Sequence, residues 1–204
     1  MLNLNKVLEL TDEQNEIIQE LIIESGTLKE EHWNRRETKL RKAIRASLMD
    51  MQNNFCVYCG CPVHGAEDVE HIAHKATYPQ FLFTPQNLAY SCKMCNQTYK
   101  GQTNVVTYVN SDYNQCQFSI VHPYFNDVEH FFDTSKIAIQ IRDGLSPQEQ
   151  RKAMFTYDLL HWGDSSVISR RAEAAMAQRY TEMTGTSITQ VLVENTLTYK
   201  PGIL

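Results

Sequence analysis

Residues 56–101 read CVYCGCPVHGAEDVEHIAHKATYPQFLFTPQNLAYSCKMCNQTYKG, a stretch bounded by two Cys-x-x-Cys pairs. Cys56 with Cys59, and Cys92 with Cys95, offer four thiolates at the spacing of one tetrahedral zinc site. The 32 residues between Cys59 and Cys92 exceed the gap of a plain zinc ribbon, so a zinc there would staple the ends of a long loop. Cys59 and Cys61 cannot both serve a four-cysteine site, and the matching spacing of the other pair favours Cys56 with Cys59. His64 is a weaker alternative ligand. Cys116 has no partner in spacing and reads as a small buried hydrophobe.

Working outward, the 204-residue chain can bury one good core, or one core with appendages. Its composition is ordinary globular, with 42% hydrophobic and 21% charged residues. MLNLNKVLELTDEQNE lacks a continuous apolar core of the signal-peptide kind, and no stretch approaches 18 apolar residues. A cytoplasmic chain with no membrane association is expected. In a reducing compartment six cysteines read as metal ligands rather than disulfides.

The formal net charge of −5 is unfavourable for binding phosphates. The charge is uneven, however. Between Lys29 and Arg45 the seven basic residues Lys29, Arg35, Arg36, Lys39, Arg41, Lys42 and Arg45 face three acidic ones, Glu30, Glu31 and Glu37. A phosphate-facing surface is expected there, with Arg35, Arg36, Lys39 and Lys42 as candidate contacts, unless a partner supplies it. For any single residue a solvated helix face is an equal alternative.

The periodicity predicts three segments: a helical region over 1–52, a zinc-stapled core over 53–104, and an α+β region over 105–204 that ends in two helices. A first helix begins at Thr11 with Ile17, Ile18, Leu21 and Ile22 as its apolar stripe, and Gly26 stops it. A second runs from about Lys29 to Met51, with Trp33, Leu40, Ile44 and Leu48 inward. Trp33 reads as core rather than as a base-stacking platform. EDVEHIAHK reads as a strand, NLAYSC as a short second strand or a turn, and KMCNQTYKG opens a helix. VVTYV, CQFSIV and KIAIQIRD read as further strands. Ser146-Pro147 starts a helix with Ser as cap and Pro in its first turn, carrying Met154, Leu159 and Leu160 toward a core. Asp164 and Ser165 cap a last helix that ends near Gly185. The tail ITQVLVENTLTYKPGIL reads as a strand or a docking segment.

CVYC, DVEHIAHK and QNLAYSCKMCNQTYKG together resemble the HNH endonucleases. The resemblance covers residues 56–101. It implies an α+β fold: a ββα-metal finger with a structural zinc, embedded between N-terminal and C-terminal helices and a few short strands. It also implies metal-dependent hydrolysis of DNA phosphodiesters, leaving 5′-phosphate and 3′-hydroxyl ends. The chemistry of the residues agrees. Cleavage needs a water deprotonated near neutral pH and a cation to offset phosphate charge. His71 titrates near neutrality and suits the first task. Glu70 is a hard oxygen ligand for Mg²⁺ or Mn²⁺. Adjacent residues of a strand face opposite sides, so a bulge, twist or strand end must bring both to one site. The resemblance makes Asn96 the second ligand of the catalytic ion, and Asn87 the residue that orients the loop and holds the histidine; an ordinary turn residue is the alternative for Asn87.

Lys100 lies one turn beyond Asn96 and is a candidate phosphate contact, or a solvated lysine. Glu70 stands where many members carry aspartate. His74 stands where proline is common, as an extra ligand, a phosphate contact or a surface residue. His32, His122, His130 and His161 read as surface or packing histidines. More loosely, the whole chain resembles the HNH subunits of Septu-type and retron-associated anti-phage defence systems, which implies an ATPase partner. A ribonuclease or toxin, and a catalytically lapsed zinc-stapled adaptor, are the alternatives.

Overall fold

The computed structural model describes residues 1–35, 37–63, 67–188 and 190. Arg36, His64 and, of the C-terminal tail named above, residues 189 and 191–204 lie outside the described residues, as does the side chain of Arg35. Within them the chain is a mixed helix and small-sheet protein. Its order is α1 (Asp12–Ser25), α2 (His32–Arg35), α3 (Glu37–Met51), β1 (Glu67–His71), β2 (Leu88–Cys92), a π-helix (Met94–Lys100), β3 (Val106–Tyr108), β4 (Gln117–Phe118), α4 (Val128–Phe131), β5 (Phe132–Asp133), β6 (Gln140–Ile141), α5 (Pro147–Leu159) and α6 (Ser165–Thr184).

The helix ends follow local chemistry. Thr11 and Gln14 close a capping box on α1, and Gly26 ends it in the left-handed conformation, which costs a glycine least. Ser146 and Glu149 form the same box on α5, with Pro147 in the first turn. The basic helix begins at His32, three residues later than the periodicity indicates. Leu40, Ile44 and Leu48 are buried on α3, while Lys39 and Lys42 are exposed on its other faces. On α5 the inward residues are Ala153 and Thr156, with Leu160 just beyond; Met154 is 49% exposed. The inward assignment of Met154 is thus corrected, because small side chains let this helix lie close to the chain at Val121, whose N–H donates to Thr156 Oγ1.

Each sheet is a two-stranded antiparallel pair: β1 with β2, β3 with β4, and β5 with β6. KIAIQIRD is corrected from a full strand to the two residues of β6. The β1–β2 register runs unbroken from Glu67 opposite Cys92 to His71 opposite Leu88. No bulge is needed, since His71 is the last residue of β1 and the chain leaves the sheet after it. One large core joins Leu21, Ile44, Leu48, Tyr58, Leu88, Tyr90, Phe132 and Trp162, and so draws on all three segments of the chain.

Candidate metal and cleavage site

The knuckle Cys56–Cys61 is a tight turn. Cys56 N–H donates to the Cys61 carbonyl at 2.9 Å and Gly60 N–H to the Cys56 carbonyl at 2.9 Å. Gly60 has φ +66°, a backbone conformation that favours glycine, and a Cβ there would meet Arg171 Nη1 closely, at 3.2 Å. The turn and the β2–π-helix junction bring the sulfurs of Cys56, Cys59, Cys92 and Cys95 within 4.8 Å of one another. A tetrahedral zinc with bonds of about 2.3 Å sets sulfurs roughly 3.8 Å apart, so the cluster could hold a zinc ion with small adjustment.

Cys61 is buried beside the cluster but outside it, its Sγ 3.9 Å from the Cys59 carbonyl. The thiols polarise one another: contact with Cys56 pulls Cys92 down to about 6, while burial pushes Cys56 up. Four thiolates around Zn²⁺ carry a net negative charge. Arg170 Nη1 lies 3.8 Å from Cys92 Sγ, and Arg171 donates to the Cys59 carbonyl at 2.5 Å and to the Thr134, Lys136 and Ile137 carbonyls. Helix α6 thereby delivers two guanidiniums to the cluster. Sequence reading missed both, since nothing local marks them.

About one strand length away, Glu70, His71, Asn96, His74 and Lys100 line one cleft of about 280 Å³. Glu70 is 1% exposed; its Oε1 accepts from Lys100 Nζ at 2.7 Å and from Tyr58 OH at 3.0 Å. Burial pushes the Glu70 carboxyl up, and Lys100 works against that. Among the described residues Oε2 takes no hydrogen bond, so it is the oxygen left for a cation. Asn96 donates Nδ2 to the Val69 carbonyl at 3.4 Å, which leaves its Oδ1 as an acceptor.

His71 Nε2 lies 3.0 Å from the Leu82 carbonyl. A carbonyl only accepts, so Nε2 carries the proton and Nδ1 keeps its lone pair. Burial lowers the pKa to about 3, so the ring is neutral and able to take a proton at pH 7. Trp33 packs edge-on against the imidazole, with centroids 4.5 Å apart at 87°, and fixes the plane of the ring. Trp33 is core, yet it is core directly behind His71.

Asn87 is fully buried and makes four hydrogen bonds. Oδ1 accepts from Ala73 N–H at 2.7 Å and Tyr113 OH at 2.9 Å; Nδ2 donates to the Ala73 and Phe81 carbonyls. It therefore holds the backbone two residues past His71. Lys100 differs most from expectation. It is neither solvated nor outward-facing: it is 1% exposed and donates to Glu70 and to the His71 carbonyl at 3.1 Å. Lys100 ends a π-type turn, in which Gly101 N–H reaches back to the Asn96 carbonyl at 2.8 Å, and it lines the same cleft as Asn96. Tyr58 and Tyr113 were not singled out by sequence. The first lies between the cysteines of a metal motif, where attention goes to the sulfurs.

The buried pair invites a stability test. Lys100→Met leaves the Glu70 carboxylate without its counter-charge and should cost about 3–5 kcal/mol in urea denaturation. The double variant Glu70→Gln, Lys100→Met should recover much of that loss; if the single variant is as stable as the parent, the pair does not hold the site.

Of the basic stretch, Arg41, Lys42 and Arg45 line a small cleft of about 130 Å³ with Asp68 and Val69 of β1. Helix α3 therefore lays positive charge beside the strand that carries Glu70 and His71.

No protein-family model matches the chain. It is 43% identical over 56 residues to Septu protein PtuB of Bacillus thuringiensis, a match covering 26% of this chain and 22% of that protein. It is 34% identical over 77 residues to protein ea31 of Escherichia phage lambda, covering 38% of this chain and 23% of that protein. The chain thus spans less than a quarter of the length of either curated relative. No helix among the described residues is long and apolar enough to cross a membrane.

Proposed function

We propose that this protein is a metal-dependent endonuclease of the HNH type that hydrolyses DNA phosphodiesters, as the nuclease effector of an anti-phage defence system. The observation that carries the reading is one cleft lined by a buried carboxylate, a neutral histidine with a free Nδ1, and an amide with an uncommitted Oδ1. Glu70 Oε2 and Asn96 Oδ1 would hold Mg²⁺ or Mn²⁺, both hard oxygen donors suited to it. Bound there, the ion would offset charge on the phosphate and on the leaving oxygen. His71 Nδ1 takes the proton of the attacking water as the water oxygen bonds to phosphorus and the P–O3′ bond breaks, the departing 3′-oxygen taking a proton from solvent. The Leu82 carbonyl and Trp33 keep the ring in place meanwhile, and Asn87 is a positioning residue behind it.

Zinc on the four cysteines is structural in this reading, since four thiolates leave no open position. Lys39 and Lys42 of α3 supply phosphate contacts, with Arg35 and Arg36 proposed on sequence alone. The defence role is supported by the similarity to Septu protein PtuB, and the acidic overall charge favours a second subunit, proposed to be an ATPase, that brings DNA to the site.

The test is a digest of supercoiled plasmid, single-stranded DNA and total RNA by the purified chain, with and without its co-purifying partners. Mg²⁺ or Mn²⁺ should stimulate plasmid nicking. Degradation of RNA with DNA left intact would convert the reading to a ribonuclease, and no cleavage of any substrate would leave an adaptor.

A further inference from the structure

A second cavity, of about 590 Å³, lies between the β3–β4 hairpin with the turn that follows it and the first half of α5. Phe118, His122 and Phe125 form one wall, and Arg151, Lys152 and Phe155 the other. No aspartate or glutamate lines it, although the chain as a whole is acidic. Lys152 is half-buried, and neither it nor Arg151 has an acidic partner among the described residues. Phe125 and Phe155 are 37% and 38% exposed, which leaves aromatic surface open to a ligand, and Phe125 stacks on His122 with centroids 4.2 Å apart. Burial disfavours the charged form of Lys152, so an anion arriving beside it relieves an existing cost.

We propose that this cavity binds a nucleotide unit, its base against Phe125 and Phe155 and its phosphate on Arg151 and Lys152. Two cations with no carboxylate lining the cavity select an anion, and open ring faces select a planar base over bare phosphate. The volume lies within the range of small-molecule sites. The unit could be a free nucleotide or one residue of a single strand, and the chemistry of recognition is shared.

The wall also touches the candidate cleavage site. Asn87 Oδ1 accepts from Tyr113 OH, so Tyr113 in turn accepts from His122 Nε2 at 3.1 Å, and His122 Nδ1 accepts from Tyr124 N–H at 3.3 Å. Every donor and acceptor in this buried relay is thereby fixed, with His122 neutral. A bound nucleotide would sit two hydrogen bonds from Asn87. His122 is thus more than a packing histidine.

The experiment is calorimetric titration of the full zinc-loaded chain with AMP, with a 5′-phosphorylated oligo(dT), and with inorganic phosphate. No Mg²⁺ or Mn²⁺ is added, so that the result stands or falls apart from cleavage. AMP or the oligonucleotide should bind, and phosphate alone should bind at least about tenfold more weakly. Arg151→Gln with Lys152→Gln, and separately Phe155→Ala, should each weaken the nucleotide by about tenfold or more; both leave the buried Ala153 and Thr156 of α5 in place, and an unchanged circular dichroism spectrum checks the fold. Binding of AMP assigns the site to free nucleotides, and binding of the oligonucleotide alone assigns it to a strand. No binding of either, phosphate binding as tight as AMP, or affinity unchanged in both variants overturns the proposal.

Discussion

Replacing His71 with alanine should lower Mg²⁺-dependent plasmid nicking by about 10²–10⁴-fold, the usual contribution of a positioned general base. The argument rests on what the ring touches. Nε2 is committed to the Leu82 carbonyl, the ring plane to Trp33, and burial keeps the imidazole neutral, so Nδ1 is an unprotonated base at working pH. Because the ring also packs against Trp33, alanine leaves a small void. His71→Gln is the companion variant, since it retains bulk and removes the base. Both should keep zinc and a native circular dichroism spectrum. Nicking by either variant at the parent rate would remove His71 from the chemistry and, with it, the nuclease assignment of the cleft.

Removing zinc should have a larger structural effect than any single side-chain change. Apparent zinc-binding free energies at four-ligand structural sites are on the order of 10 kcal/mol, comparable with the whole stability of a domain. Here the sulfurs are not at the periphery. Cys56, Cys59 and Cys95 are buried in the main core beside Tyr58 and Leu88, and Arg170 and Arg171 carry α6 onto them. Without the metal, clustered buried thiols face two guanidiniums without the charge those cations fit. We expect one zinc per chain by elemental analysis. A strong chelator, or Cys92→Ser, should abolish the cooperative thermal transition. Release of zinc with the transition unchanged would mean that the cluster is not a structural site.

Much of this organisation is legible in the chain, for identifiable reasons. The cysteine spacing, the capping boxes at Thr11 and Ser146, the glycine at 26 and the strand patterns on both sides of residues 72–87 are local signals, and local chemistry fixes their outcome. The zinc ligand set, with Cys61 outside it, follows from spacing and agrees with the sulfur cluster. Less legible were lengths that depend on pairing. KIAIQIRD alternates like a strand throughout, yet only Gln140 and Ile141 pair as a strand, opposite β5. Met154 has the periodicity of a core residue, but α5 presents Ala153 and Thr156 instead.

The sequence by itself determined the candidates for the chemistry: the four cysteines by spacing, Glu70 and His71 by residue type, and Asn87 and Asn96 through the resemblance to the HNH endonucleases. Only the tertiary structure decided their company. Lys100, at the end of the π-helix, turns inward to Glu70, because a carboxylate already withdrawn from water needs a counter-charge in contact with it. Tyr58, Trp33, Tyr113, Arg170 and Arg171 reach the site or the cluster from 12 to 112 residues away in sequence. Hydrogen bonds, ring contacts and ion pairs across such separations have no periodicity in the chain. They arise only when burial brings distant elements together and obliges their polar groups to find partners.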